Sequence, residues 1–211
     1  MKIAVLASGR GSNLRAIVEA IDRGACAAEV VAVVSDKADA AALDFANERG
    51  IATAVVLPKA YADRPAWDAA LAETVASYSP GLVVLAGFMR IVGASMIARF
   101  AHRIVNVHPA LLPSFPGAHG ARDAIAKGVR ISGCTVHLVD AGVDTGPILA
   151  QAAVPVLPGD DEGSLQSRIQ RCEHALLPRV IDLIARGEIT LGDRPTFASE
   201  AAAAATVMLA G

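Results

Sequence analysis

The sequence predicts an α/β protein with a doubly wound, mostly parallel β-sheet. Short runs of β-branched and other apolar residues alternate with longer, alanine-rich segments of helical spacing, beginning at the first residues. Continuous apolar runs are typical of parallel strands that helices cover on both faces, and repeated strand–helix order indicates a doubly wound sheet. The predicted strands are Lys2–Ala7, Val30–Ser35, Ala52–Val56, Leu82–Ala86 and Arg103–Val107, and the predicted helices are Leu14–Arg23, Ala38–Arg49, Ala66–Ser77 and Ala94–Phe100.

The pattern changes in the last part of the chain. Pro109–Gly120 contains three prolines and two glycines, and a connection of this length is a candidate functional loop. Two strands are then predicted at Ile131–Val139 and Pro147–Val156, separated by the turn Asp140–Gly146. A long helix over Ser164–Arg186 follows them. We therefore expect the parallel sheet to be followed by an antiparallel strand and a long C-terminal helix.

Composition and charge exclude several classes of protein. Hydrophobic residues make up 54% of the 211 residues, charged residues 19%, and the net charge is −2. These values argue against a disordered chain and against a basic nucleic-acid-binding face. No apolar run approaches the ~20 residues that span a membrane, and three widely separated cysteines indicate reduced thiols. We expect a cytoplasmic protein that binds neither nucleic acid nor membranes.

The segment SGRGSN, directly after the first strand, is a candidate anion-binding loop. Its glycines allow backbone N–H groups to approach an anion, and the following helix offers its positive N-terminal end. The dinucleotide pattern GxGxxG is incomplete because Leu14 stands at its last position, although Asp36 lies near the place of a ribose-binding acid. Ser12 and Asn13 fit a monophosphate better. The alternative is an ordinary strand-to-helix turn with a serine cap.

Asn106 and His108 are the candidate catalytic pair. They lie two residues apart near the end of a predicted strand, so their side chains share one face at the edge where α/β sheets bind ligands. An amide can stabilise an oxyanion, and an imidazole can also move a proton. The alternative is a core histidine that hydrogen-bonds to the backbone.

The segment DAGVDTG over Asp140–Gly146 contains two further carboxylates. Either of them could orient and charge a histidine, or both could be turn formers that bind their own backbone. His119 and His137 have no recognised metal-ligand spacing with these carboxylates. We therefore expect no metal site.

Several motifs together resemble the glycinamide ribonucleotide formyltransferases. They are IAVLASGRGSNLRAI, LVVLAGFMRIV, VNVHPALLPSFPGAHG, GCTVHLVDAGVDTGPILAQ and RIQRCEH, and they extend in order from residue 1 to about residue 187. The resemblance implies a Rossmann-like formyltransferase fold and a transferase of one-carbon metabolism. Its expected reaction moves a formyl group from 10-formyltetrahydrofolate, as co-substrate, to the amine of 5-phosphoribosylglycinamide in purine biosynthesis.

The resemblance also implies the roles of the catalytic residues. Asn106 would donate to the oxygen of a tetrahedral oxyanion, and His108, held cationic by Asp144, would stabilise it and protonate the departing folate nitrogen. A carboxylate close to an imidazole favours its charged form. No covalent adduct with the enzyme is implied.

The binding residues follow from the same resemblance. The phosphate of the nucleotide would lie on Gly11, Ser12 and Asn13, and its ribose on Glu173 with Gln170 nearby; the alternative for Glu173 is a solvated helix charge. His119 and His137 would serve in packing or support. The folate pocket is expected to consist of Arg64, Met89, Arg90, Ile91, Val92 and Asn106 together with Asp140, Ala141, Gly142, Val143 and Asp144.

We expect one domain over residues 1–211, with a phosphate-loop half at 1–100, a catalytic and folate-binding half at 101–190 and a peripheral tail at 191–211. A homodimer is compatible with the sequence, which does not determine the oligomeric state. Two departures from the resembled pattern stand out: Ala110 replaces a common serine, and Ala121 a histidine.

Four other functions remain open. A formyltetrahydrofolate hydrolase or a tRNA-formylating enzyme would share the central motifs, but each would require an additional domain. A non-catalytic nucleotide-binding module would not need Asn106, His108 and Asp144 together. A nicotinamide-dependent reductase is disfavoured by Leu14 in the glycine-rich loop.

Overall fold

The computed structural model describes residues 1–209 of the chain, so the last two residues of the predicted tail, 210 and 211, lie outside the described residues. The chain divides into two compact units, with the boundary between residues 106 and 107. Strand β5 begins in the first unit and ends in the second. The prediction of a single domain stays a prediction.

The first unit is a parallel α/β sheet with the strand order β5–β4–β1–β2–β3. Strand β1 lies at its centre, and Ile3 to Leu6 are fully buried. The apolar runs that predicted these strands are correct to within two residues at each end. The elements are β1 (Lys2–Leu6), α1 (Ser12–Asp22), β2 (Glu29–Ser35), α2 (Ala41–Glu48), β3 (Ala52–Val55), α3 (Arg64–Ser77), β4 (Leu82–Leu85), α4 (Ala94–Arg99) and β5 (Ile104–His108).

The second unit contains a long antiparallel pair, β6 and β7, with β10 added in parallel beside β7. A separate short antiparallel pair is formed by β8 and β9. The fold prediction of a mostly parallel sheet with an antiparallel strand and a long helix is therefore confirmed. The elements are α5 (Gly120–Lys127), β6 (Ile131–Leu138), β7 (Ile148–Pro155), α6 (Glu162–Ala185), β8 (Ile189–Thr190), β9 (Thr196–Phe197), α7 (Glu200–Ala204) and β10 (Val207–Leu209).

Helix α6 begins at a capping box. The Asp161 carboxylate accepts from the Ser164 N–H at 2.7 Å, and the Ser164 hydroxyl accepts from the Asp161 N–H at 3.0 Å. Both donors would otherwise lack a partner in the first turn of the helix. The helix therefore begins two residues before the predicted start, because the box places its cap at Asp161.

Two parts of the second unit were not predicted. Helix α5 follows the proline-rich loop directly, because the loop ends at His119 rather than Gly120. The predicted peripheral tail forms α7 and the edge strand β10, and Ala202 and Thr206 there are buried. Within residues 1–209, no helix is long and apolar enough to cross a membrane.

Gly133 on β6 is required by the close approach of β7. A Cβ atom at this position would lie 1.9 Å from the Ala152 carbonyl oxygen and 2.9 Å from Leu111 Cδ2. We expect Gly133→Ala to lower the free energy of unfolding by about 1–3 kcal/mol, because the backbone must shift to admit a methyl group. Urea denaturation measures this change.

The matched control is Gly192→Ala, because no atom lies within 4 Å of a Cβ built there. We expect that variant to stay within about 0.5 kcal/mol of the parent protein. Equal stabilities of the two variants would contradict the tight packing of β6 on β7.

Candidate active site

The glycine-rich loop after β1 leads into helix α1. Gly11 precedes the first helical residue, has φ +73°, and would place a Cβ 2.8 Å from the Ala42 Cβ. Both features require glycine here. The N-cap position is Gly11, which has no side chain to cap the helix, and Ser12 lies inside the helix. The alternative of an ordinary serine cap is therefore wrong, and the helix N–H groups at Ser12 and Asn13 form the kind of terminus that binds anions.

Asp36, the residue that follows β2, hydrogen-bonds to this loop. The Ser8 hydroxyl donates to one Asp36 oxygen at 2.5 Å, and Arg90 Nε donates to the other at 2.8 Å. Ser8 also accepts from the Met89 N–H at 2.8 Å. Asp36 therefore links the loop after β1 to the segment after β4, and its two oxygens are engaged by protein groups rather than presented to a ribose.

The predicted folate segment 89–92 is held at both ends. Arg64 donates to the Ile91 carbonyl, and its guanidinium lies 4.8 Å above the Trp67 ring. The buried Asp68 carboxylate accepts from the Gly93 N–H at 2.5 Å and from the Ser95 N–H at 2.8 Å. The segment is thus fixed by polar contacts although two of its apolar side chains are exposed. The exposed fractions are 72% for Met89 and 60% for Ile91, whereas Val92 is buried at 4%.

His108 is buried at the end of β5, two positions after the half-buried Asn106. Its Nε2 donates to the Phe115 carbonyl at 2.8 Å, and its Nδ1 lies 3.4 Å from Asp144 Oδ2. Each ring nitrogen therefore faces an acceptor. The two contacts fix the orientation of the ring and leave an acceptor at each nitrogen.

Asp144 receives three groups at its carboxylate. Besides His108, the Gly117 N–H donates to Oδ2 at 2.8 Å, and His137 Nε2 lies 3.5 Å from Oδ1. Burial alone would raise the pKa of Asp144. The hydrogen bonds from His137 and Gly117, together with the charge of the histidines, outweigh burial and hold the pKa of Asp144 below its usual value.

The two carboxylates of the turn after β6 have different roles. Asp140 Oδ1 accepts from the Gly142 N–H at 3.0 Å and from the Thr145 hydroxyl at 2.6 Å, so Asp140 is the turn former. Asp144 contacts the histidines instead, with φ +55°. The residue pattern left both roles open for both residues, whereas the resemblance assigned the contact with His108 to Asp144. The remaining residues of the turn that we assigned to folate, Ala141, Gly142 and Val143, are exposed.

Gln170 and Glu173 lie three residues apart on α6 and therefore on one face of the helix. Glu173 is only 4% exposed, so the alternative of a solvated helix charge is wrong. The three cysteines are reduced and buried, as predicted. Burial, followed by the nearby Glu173 charge, raises the pKa of the Cys134 thiol, which makes it a poor nucleophile.

Comparison with known proteins identifies the family. The family model described as formyl transferase matches residues 1–181. The chain belongs to the formyl transferase family.

Similar proteins of this family match about nine-tenths of this chain. Phosphoribosylglycinamide formyltransferase of Mycobacterium tuberculosis is 48% identical over 193 residues, which cover 92% of this chain and 89% of that protein. The Escherichia coli K12 protein of the same name is 43% identical over 191 residues, with 90% of each chain covered. The crystal structure of glycinamide ribonucleotide transformylase 1 from Symbiobacterium toebii superposes with a TM-score of 0.91 at 46% identity and covers 94% of both chains.

Two contacts of this site were not predicted from the sequence. His137 was expected to serve in packing or support; it is buried, and it faces the same carboxylate as His108. The Phe115 carbonyl was not considered, because backbone groups leave no signal in a residue pattern. His119 is exposed and caps no helix with its side chain. Among residues 1–209, no group of three or more histidine, cysteine, aspartate or glutamate side chains is arranged to hold a metal ion.

The lowered pKa of Asp144 makes part of the stability of the protein pH-dependent. A carboxyl group whose pKa falls on folding stabilises the protein above its unfolded pKa, about 3.9, and loses that effect as the pH falls through the folded pKa. We expect Asp144→Asn to lower the melting temperature at pH 7. The difference in melting temperature from the parent protein should vanish at pH values below the folded pKa of Asp144.

Thermal melts of both proteins at a series of pH values test this. The control is Asp39→Asn, which changes an exposed carboxylate and should give a small difference at every pH. A difference for Asp144→Asn that stays constant down to the most acid melt would contradict the assignment.

Proposed function

We propose that this protein transfers a formyl group from 10-formyltetrahydrofolate to the amine of 5-phosphoribosylglycinamide, a step of purine biosynthesis. The observation that carries the proposal is His108, buried between the Phe115 carbonyl and the Asp144 carboxylate in a member of the formyl transferase family. The names of its relatives supply the acceptor, and the glycine-rich N-terminus of α1 suits the phosphate of that acceptor.

The catalytic residues act on a reaction that needs one oxyanion stabilised and one proton moved. When the acceptor amine attacks the formyl carbon, the Asn106 amide donates to the oxygen of the tetrahedral oxyanion. His108 stabilises the same charge and gives a proton to the folate nitrogen as its bond to the formyl carbon breaks. The amine proton replaces the one that His108 lost, so the enzyme ends in its starting state without a covalent adduct.

Asp144 holds His108 in its charged form and in a fixed orientation. Because the pKa of Asp144 is lowered, the carboxylate stays ionised at neutral pH and does not take the proton from the imidazole. Asp144 remains a hydrogen-bond acceptor while His108 can donate its proton. This division of roles suits general acid catalysis.

The binding residues are assigned by the same proposal. Gly11, Ser12 and Asn13 bind the phosphate, whereas Gln170 and Glu173 bind the ribose. The support for Glu173 is its burial on the same face of α6 as Gln170. Folate binds to Arg64, to residues 89–92, to Asn106 and to the turn 140–144, where backbone groups and exposed apolar side chains are available.

We further propose one functional domain, a cytoplasmic location and small-molecule partners alone, with no metal in the reaction. We also propose that the protein forms a homodimer. The charge and the cysteine content of the sequence support the cytoplasmic location and the small-molecule partners.

The proposal predicts that purified protein releases tetrahydrofolate from 10-formyltetrahydrofolate only when 5-phosphoribosylglycinamide is present. Spectrophotometric detection of tetrahydrofolate, with and without the nucleotide, makes the measurement. Release with water alone would identify a hydrolase, and no release under either condition would identify a non-catalytic module. Either result would contradict the proposed transfer.

A further inference from the structure

The backbone of the loop between β5 and α5, residues 109–119, positions the catalytic groups. We call this segment the β5–α5 loop. It provides the Phe115 carbonyl that accepts from His108 and the Gly117 N–H that donates to Asp144. Neither contact uses a loop side chain, so the orientation of both catalytic residues depends on where the loop backbone lies. Phe115 itself has φ +56°, a conformation that surrounding contacts must maintain.

Thr135 on β6 fastens the start of this loop. Its side chain is fully buried. The hydroxyl donates to the Ala110 carbonyl at 2.7 Å and accepts from the Leu112 N–H at 3.0 Å. A hydroxyl has one proton and two lone pairs, so donation to Ala110 leaves the oxygen free to accept from Leu112 and from one further donor.

Gln151 on β7 supplies that further donor. Its Nε2 donates to Thr135 Oγ1 at 3.1 Å and to the Leu112 carbonyl at 2.9 Å. The two protons of the amide nitrogen allow both bonds at once. Leu112 is thereby held through its N–H by Thr135 and through its carbonyl by Gln151, three residues before Phe115.

Apolar packing holds the same part of the loop. Leu112 is 4% exposed, and Leu111 Cδ2 lies so close to Gly133 that a Cβ there would stand 2.9 Å from it. The loop therefore lies directly on β6 at Leu111 and Leu112, the part of its backbone that Gln151 contacts.

We propose that Gln151 is a positioning residue for the transfer reaction, which fixes the β5–α5 loop through Leu112 and Thr135 and so holds the Phe115 carbonyl in place to orient His108. Gln151 touches neither His108 nor Asp144. Its kinetic consequence rests on the proposed function, whereas its effect on the His108 ring does not.

The first test replaces the donor with an acceptor of the same shape. In Gln151→Glu a carboxylate oxygen faces the Leu112 carbonyl, and we expect kcat to fall about tenfold because the imidazole is displaced from its working orientation. KM for both substrates should stay within about twofold, because no binding group has changed. The neutral variant Gln151→Met should show the same fall in kcat with the same unchanged KM. That result would exclude an effect of the added charge.

The matched control is Gln166→Glu, the same change at a half-buried position of α6. It should leave kcat and KM at the values of the parent protein. A second control preserves the hydroxyl group at position 135. Thr135→Ser should retain kcat, whereas Thr135→Val should lower kcat as Gln151→Met does. Combining Gln151→Met with Thr135→Val should add little further loss, because both changes break one chain of contacts.

The second readout is the His108 ring itself, followed by ¹⁵N–¹H NMR of the imidazoles and assigned by loss of its signals in His108→Gln. In the parent protein we expect a protonated Nε2 whose hydrogen exchanges slowly with water, because it is buried and bonded to Phe115. In Gln151→Glu and Gln151→Met this slow exchange should be lost. A residue with a merely structural role would lower the melting temperature and leave this signal unchanged.

The outcomes separate the two proposals. If the parent protein transfers no formyl group, the proposed function fails, but the NMR signal still decides the role of Gln151. A slowly exchanging Nε2 proton that persists in both Gln151 variants, or parental kcat in both, would overturn the positioning role.

Discussion

The candidate site depends on a single carboxylate. Asp144 accepts from the Gly117 N–H and lies against one nitrogen of His108 and one of His137. The other nitrogen of each ring donates to a backbone carbonyl, of Phe115 and Leu138 respectively. Each imidazole is thus fixed at two points, and removing the carboxylate would release both rings and the loop backbone together.

The parallel sheet of the first unit explains why distant parts of the sequence contribute to one site. Ser8, Asp36 and Met89 follow three different strands, β1, β2 and β4, which are neighbours in the sheet. Because parallel strands end at the same edge, their following residues meet there, and the Ser8–Asp36–Arg90 contacts join them. A buried aspartate with two donors gives this edge a defined geometry before any ligand binds.

Much of the fold and of the candidate site could be predicted from the sequence, for reasons that differ among residues. The strands were predictable because buried parallel strands are continuous apolar runs, as in KIAVLA. The pairing of Asn106 with His108 was predictable because it follows from strand alternation alone. The choice between Asp140 and Asp144 came from the family resemblance alone, because residue spacing does not reveal a backbone with φ +55° at Asp144. The burial of Glu173 and the contact of His137 depend on tertiary packing and leave no local pattern.

The contacts that backbone groups make are the largest part of the candidate site that could not be predicted from the sequence. The Phe115 carbonyl and the Gly117 N–H would be offered by any residues at these positions, so their roles are visible only in the folded chain. The same holds for Gln151 and Thr135, which belong to ordinary alternating strands and acquire significance only because the β5–α5 loop lies across them.

In the proposed reaction, His108 performs the proton transfer that accompanies formyl transfer to the nucleotide. The most direct test is a single turnover with 10-formyltetrahydrofolate labelled in its formyl carbon, comparing the parent protein with His108→Gln after the affinity for each substrate has been measured. We expect both proteins to bind the two substrates with similar affinity, and transfer of label to fall by about 10²–10⁴-fold in the variant. Transfer at the parental rate by His108→Gln would contradict the account.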